Sequence, residues 1–158
     1  MGKFYGNQKM HHYMGIEMNS QAWNLLSKDD RTEQDDVRMV NYAHASLYHW
    51  KLSPQFEPVN EQRGEWIISR VYAVLSKGDE ALNHAKETMR LTEEFKIEDF
   101  DLAFAYEAMA RAYAALENKV ECQKWLEKAM KTGELIAGSE DKKIFTGDLE
   151  NGPWFGCN

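Results

Sequence analysis

The strongest constraint on this chain is that part of it occurs twice. Shifted forward by 41 positions, residues 65–95 fall on residues 106–136. Arg70, Tyr72, Ala73 and Leu75 then meet Arg111, Tyr113, Ala114 and Leu116. Glu80, Met89 and Glu93 meet Glu121, Met130 and Glu134, and apolar positions keep register at Ile68 and Met109, Val71 and Ala112, and Phe95 and Ile136. A fixed period of this size marks supersecondary units that cannot bury a hydrophobic face alone and therefore stack on their neighbours. Such arrays present an extended surface for binding rather than a reaction centre.

The pattern inside the repeat is helical. Apolar residues recur at steps of three and four along six segments. The first runs over about 8–27 with Met14, Met18, Ala22 and Leu25, flanked by Trp23 and Leu26. Thr32 is placed to cap the second, with Glu33, Asp35 and Asp36 in a first turn where the helix dipole favours anions; its stripe is Val37, Val40, Ala43, Leu47 and Trp50, and it ends near Ser53-Pro54. The third starts after Pro58 and runs to about Lys77. After a turn at Gly78-Asp79, where Asp79 is a candidate cap, the fourth runs to about Phe95. The fifth is capped from Asp99 or Asp101, and the sixth, after Glu117-Asn118-Lys119, stops at Ala137-Gly138-Ser139. No segment alternates with period two, so no sheet is expected. Short turns imply antiparallel neighbours. The expected fold is all-α, a single domain of stacked hairpins: 8–53 a divergent first, 57–96 the second, 99–137 the third. Residues 140–158 carry Ile144, Phe145, Leu149, Trp154 and Phe155 among glycines and a proline, which predicts an irregular strap capping the last hairpin of its own chain or of a second copy.

Composition removes several classes of function. The net charge of −7 repels a phosphate backbone and argues against nucleic acid as a partner. No apolar run reaches the roughly 20 residues of a membrane span. With 12% aromatic residues and five Trp, there is enough apolar surface to offset the entropy of ordering. Cys122 and Cys157 make no disulfide framework, which leads to the expectation of a reduced, cytoplasmic chain.

Residues 66–91 resemble a tetratricopeptide repeat. Trp66, Ile68, Ser69, Tyr72 and Ala81 fall where that family places a bulky residue, an apolar and a small one, a Tyr, and an Ala nine positions later. In the next unit Glu107, Met109, Ala110, Tyr113 and Cys122 take those places, so Glu107 stands for the tryptophan and Cys122 for the alanine. The offset of 41 exceeds the family's usual 34, as in long-repeat versions from bacterial sensor and regulator proteins. Residues 65–75 and 99–108 are also similar to a bacterial family of short tetratricopeptide-like proteins, from which no activity carries over. The resemblance covers residues 57–137 and implies a superhelical stack of hairpins whose concave face binds a protein or peptide segment.

Candidate site residues follow from helical spacing. Trp66 and Arg70, four apart, share a face, as do Glu107 and Arg111. The two arginines occupy equivalent repeat positions, and paired guanidiniums favour a carboxylate or phosphate. Trp66 and Phe104 would wall such a groove. The competing reading is local: Glu107 and Arg111 are oriented for an i,i+4 salt bridge. A second candidate is a pocket between hairpins built from His44, Tyr48 and His84, which would suit a small-molecule or metal-binding sensor or an enzyme. No H-E-x-x-H, G-x-S-x-G, P-loop or G-x-G-x-x-G occurs, and His44 and His49 point about 140° apart on a helix. The expectation is a non-catalytic scaffold with no cofactor, no metal and no catalytic residue. Homodimerisation through a terminal hairpin or the tail is a symmetric way of covering two exposed ends.

Overall fold

The computed structural model describes residues 2–158, with side chains from residue 7 onward. Seven helices follow one another: α1 (Gly2–Leu26), α2 (Glu33–Lys51), α3 (Pro58–Val74), α4 (Gly78–Glu94), α5 (Asp99–Ala115), α6 (Lys119–Glu134) and α7 (Ser139–Glu150). No strand occurs among the described residues. Pairs α1/α2, α3/α4 and α5/α6 are the hairpins, and each packs on the next through α2 on α3 and α4 on α5. The protein is therefore an all-α stack of antiparallel helical hairpins.

The repeat offset is visible in the backbone. The starts of α3 and α5 lie 41 residues apart, as do those of α4 and α6. The turns agree as well. Ser76 and Glu117 both adopt positive φ, 60° and 56°. Each follows the helix end, so that Lys77 N–H reaches Tyr72 O and Asn118 N–H reaches Tyr113 O, both at 2.9 Å. This six-to-one closure satisfies carbonyls that a helix terminus leaves orphaned. Its hydrogen bonds offset the steric cost of a left-handed non-glycine residue.

The α2 start is a capping box. Thr32 Oγ1 accepts from Asp35 N–H and the Asp35 carboxylate accepts from Thr32 N–H, both at 3.1 Å. Lys28 and the Thr32 amide hold the Asp35 carboxyl well below the usual carboxylate range. Two other expected caps are elsewhere: α4 is preceded by Lys77 rather than capped by Asp79, and α5 by Glu98, while the Asp99 carboxylate accepts from Ala137 N–H at 3.0 Å.

Small residues set the spacing between hairpins. Ala81, Ala85, Ala108 and Ala112 are buried where α4 meets α5. Gly78 lies so close to Leu116 that a Cβ there would sit 2.6 Å from Leu116 Cγ. The first interface instead uses Met39, Ala43, Ile67, Ile68 and Val71.

Two expectations for the C-terminal part are overturned. Residues 139–150 form a helix rather than an irregular strap, giving seven helices instead of about six. The glycine at 147 had argued against it, at a cost of about 1 kcal/mol within a helix. Phe145 repays that cost by burying completely among Ala103, Phe104, Ala129 and Ile136. Cys122 and Cys157 are joined in a disulfide, against the expectation of two free thiols. The bridge holds the chain end beside Ala110 and Ala114 of α5, with Trp154 in the same cluster. No helix among the described residues is long and apolar enough to cross a membrane.

Candidate binding trough

Helices α1, α3 and α5 form the inner row of the stack. Their aromatic side chains touch in sequence: Trp23 on Trp66 (ring centroids 5.6 Å apart), Trp66 on Phe104 (5.2 Å) and Phe104 on Phe145 of α7 (4.9 Å). Phe100 packs edge-on against Phe104 at 4.7 Å. Tilted and edge-to-face contacts of this kind suit the quadrupoles of the rings. Between this rail and α7 lies a cavity of about 510 Å³, walled by Trp23, Trp66, Phe100, Phe104 and Ile144. Its rim carries Arg63 and Asp101, joined by two hydrogen bonds of 2.8 and 2.9 Å.

Beneath the rail sits a buried charge cluster. Arg70 of α3 and Arg111 of α5 converge, as their equivalent repeat positions predict, but on carboxylates of the chain itself. Arg111 Nε donates to Glu107 Oε1 at 2.5 Å, and Arg70 Nη1 donates to the same oxygen at 3.3 Å. Arg70 also forks onto the Asp148 carboxylate of α7, at 3.1 and 3.3 Å. Arg111 Nη2 donates to the Asp148 backbone oxygen at 2.8 Å, and its guanidinium lies 4.1 Å over the Trp154 ring. Arg70, Glu107 and Arg111 are 6%, 0% and 2% exposed. Burial pushes the Glu107 carboxyl up, with Arg111 and Arg70 opposing, and pushes the Arg111 guanidinium down, with Glu107 opposing. Both shifts have one cause: taking these charges out of water is costly, and their mutual contacts oppose that cost. Arg70 Nε, Arg111 Nη1 and Glu107 Oε2 are buried with no hydrogen-bond partner among the described residues.

The expected groove residues thus assemble, but with a difference. Trp66 and Phe104 wall the cavity. Arg70, Glu107 and Arg111 do not line that cavity but form an internal network beside it, which reaches its wall through Asp148, and the local Glu107–Arg111 pair is part of the network. Asp148, the fourth member, escaped sequence reasoning because it lies in a segment expected to be irregular. The available signal was spacing: Phe145, Asp148 and Leu149 sit at i, i+3 and i+4, one face of a helix. Trp23 was legible only as a core residue of α1.

A second cavity, also of about 510 Å³ and more polar, lies on the other side of Asp148. It is lined by Lys28, Arg31, Arg70 and Pro153 among others, and shares Trp23, Asp148 and Asn151 with the aromatic cavity. The two cavities adjoin at Trp23, Asp148 and Asn151 and together make a trough between α1 and α7.

The histidine pocket assembles in part. His44 and His84 meet with ring centroids 5.6 Å apart, and Tyr72 completes the group. Tyr72 stacks on His84, and its hydroxyl is 3.0 Å from His44 Nε2. His84 Nδ1 donates to Glu65 Oε2 at 2.5 Å. Tyr48 is not there; it is exposed and packs on His11 and His49. Burial and the nearby His84 push the His44 imidazole down. No group of three or more His, Cys, Asp or Glu placed to hold a metal occurs among the described residues.

The chain matches no protein-family model, no curated protein and no solved structure. What the coordinates define is a class: three stacked helical hairpins with a seventh helix laid against the inner row.

Proposed function

We propose that the protein is a non-catalytic binding module of tetratricopeptide-like type that takes a peptide or protein segment in the trough between α1 and α7. The observation that carries this reading is the aromatic cavity. A space of about 510 Å³ walled by four aromatic rings falls within the range of roughly 300–1,000 Å³ typical of ligand pockets. Ile144 is 56% exposed at its mouth. A bulky apolar side chain entering there would displace water from the rings without moving the backbone, and the paired Arg63 and Asp101 would meet the main chain of the same segment. The disulfide suits an oxidising compartment better than the reducing cytoplasm expected from the sequence.

The test is to pan a displayed peptide library on the purified protein and to measure the selected peptides against Ile144→Glu. Ile144 contributes little to the core, so this variant should keep its helical circular dichroism and lose the peptides. Equal binding by both proteins would overturn the reading.

The rival is a small-molecule or metal pocket around His44 and His84, favoured by the convergence of the two imidazoles with Tyr72. Native mass spectrometry of fresh protein separates the two, since only the rival expects a retained metabolite or metal lost in His84→Ala.

A further inference from the structure

The charge balance of the buried cluster depends on α7. Helices α3 and α5 supply two guanidiniums, Arg70 and Arg111, and one carboxylate, Glu107. Without Asp148 the inner row would bury a net positive charge, which is strongly unfavourable unless an anion fills the place. Asp148 is that anion, and it comes from outside the repeat. It receives both Nη atoms of Arg70 and, through its backbone oxygen, Arg111.

Apart from Asp148, α7 attaches chiefly through Phe145 and Leu149; Leu149 is half-buried against the clusters of Phe145 and of Trp154, and its backbone oxygen accepts from Trp154 Nε1 at 3.0 Å. Phe145 is its one buried side chain, placed at the end of the aromatic rail against Phe104 and Gly133. Ile144 is largely exposed, and open space lies on both sides of Asp148. One helical face of α7 thus gives the inner row an aromatic ring and a carboxylate three residues apart, with Leu149 packed beside them. The arginines are not saturated by them, because Arg70 Nε and Arg111 Nη1 still lack partners among the described residues.

We propose that α7 holds the place of a partner helix: when α7 gives way, the inner row of α1, α3 and α5 receives an amphipathic helical segment with an aromatic residue three positions before an acidic one, and Asp148 stands in for that acid in the free chain. This rests on the binding reading above for its aromatic and arginine surface, differs from it in making α7 the competitor rather than a wall, and adds the chemistry of the partner. The competitor is covalently attached, since Cys157 bridges to Cys122 just beyond it. A tethered competitor lowers the apparent affinity of a free one by the fraction of time it occupies the site. Weakening α7 should reveal the site.

The probe is a fluorescein-labelled synthetic peptide with the sequence of residues 139–151, and a second peptide in which the residue matching Asp148 is Asn. Fluorescence anisotropy would follow both against the full chain, against Asp148→Asn and against Phe145→Ala. Asp148→Asn removes the resident acid with its shape kept. Phe145→Ala frees the ring site and leaves both arginines and Asp148 in place, so it serves if the first variant folds poorly. The acidic peptide should bind both variants roughly ten-fold tighter than it binds the unaltered chain, and the Asn peptide should bind Asp148→Asn at least roughly ten-fold more weakly than the acidic one. Equal affinities for the two peptides, equal affinities for unaltered and variant proteins, or no binding to any of them overturns the proposal. If panned peptides still depend on Ile144 in that case, the trough remains a binding site and only the stand-in role of α7 falls.

Discussion

The second and third hairpins share a backbone and differ in what they place on it. At one pair of equivalent positions the second has Trp66 and the third Glu107: an aromatic wall in one, the buried acid of the charge cluster in the other. At another, Glu65 and His84 form a hydrogen-bonded pair across α3 and α4, whereas Tyr106 and Trp125 bring rings 5.9 Å apart across α5 and α6, with Lys128 over both. At a third, Ala81 is simply packed, and Cys122 anchors the chain end. Of the shared residues, Tyr72/Tyr113 and Ala73/Ala114 set geometry and Arg70/Arg111 supply the cations of the cluster. The unshared ones supply the aromatic wall, the buried acid and the bridging cysteine, so the repeat builds the frame with its paired cations and divergence makes the trough.

The sharpest way to break this comparison is to take the cation out of the third hairpin. Arg111→Ala leaves Glu107 buried beside Arg70 alone, and removal of one partner from a buried ion pair costs about 3–5 kcal/mol. Urea unfolding should show this loss, and an effect under about 1 kcal/mol would mean that the cluster is not the dry network described. Cys122→Ala turns the third hairpin into the second at that position. Opening the loop closed by the bridge should cost about 2–4 kcal/mol, read from thermal unfolding under non-reducing conditions. Thiol titration of the denatured, unreduced protein should find no free cysteine; two would remove the bridge from the account.

Smaller effects test the spacing. Gly78→Ala drives a Cβ into Leu116, and overpacking of this kind costs about 1–3 kcal/mol. Lys119, at the equivalent position with no hairpin beyond it, should accept alanine with no measurable change. The smallest effect is pH dependence. Burial, with His84 and His11 nearby, lowers the imidazoles of His44 and His49. The native chain then binds fewer protons than the unfolded one, so their stabilisation is complete above the unfolded value near 6.5 and is lost as pH falls through it. The groups facing them are Tyr72, His84 and Glu65 for His44, and His11 and Tyr48 for His49. The melting temperature should drop between pH 7.5 and 5.5, and the double variant His44→Gln/His49→Gln should flatten that drop.

Most of the frame was legible because its causes are local and periodic. The offset, the Thr32 cap and the convergence of Arg70 with Arg111 all follow from spacing. The parts that were not legible depend on contacts between distant segments. Gly147 reads as a helix breaker until Phe145 and its apolar nest repay the helix. Cys122 and Cys157 are 35 residues apart, a spacing that carries no geometry by itself, although the replacement of a small residue by Cys122 in the second copy was a visible departure. Asp148 was hidden with α7. Tyr48 lies four residues from His44 on α2, yet it is Tyr72 from α3 that reaches the imidazole.

The bridge makes a closed ring of everything between residues 122 and 157. A peptidase that nicks the polypeptide inside that ring, for instance just past α6 near the exposed Leu135, releases nothing. The cleaved molecule keeps its full mass until a reductant separates the pieces, so damage there would escape any gel run without one.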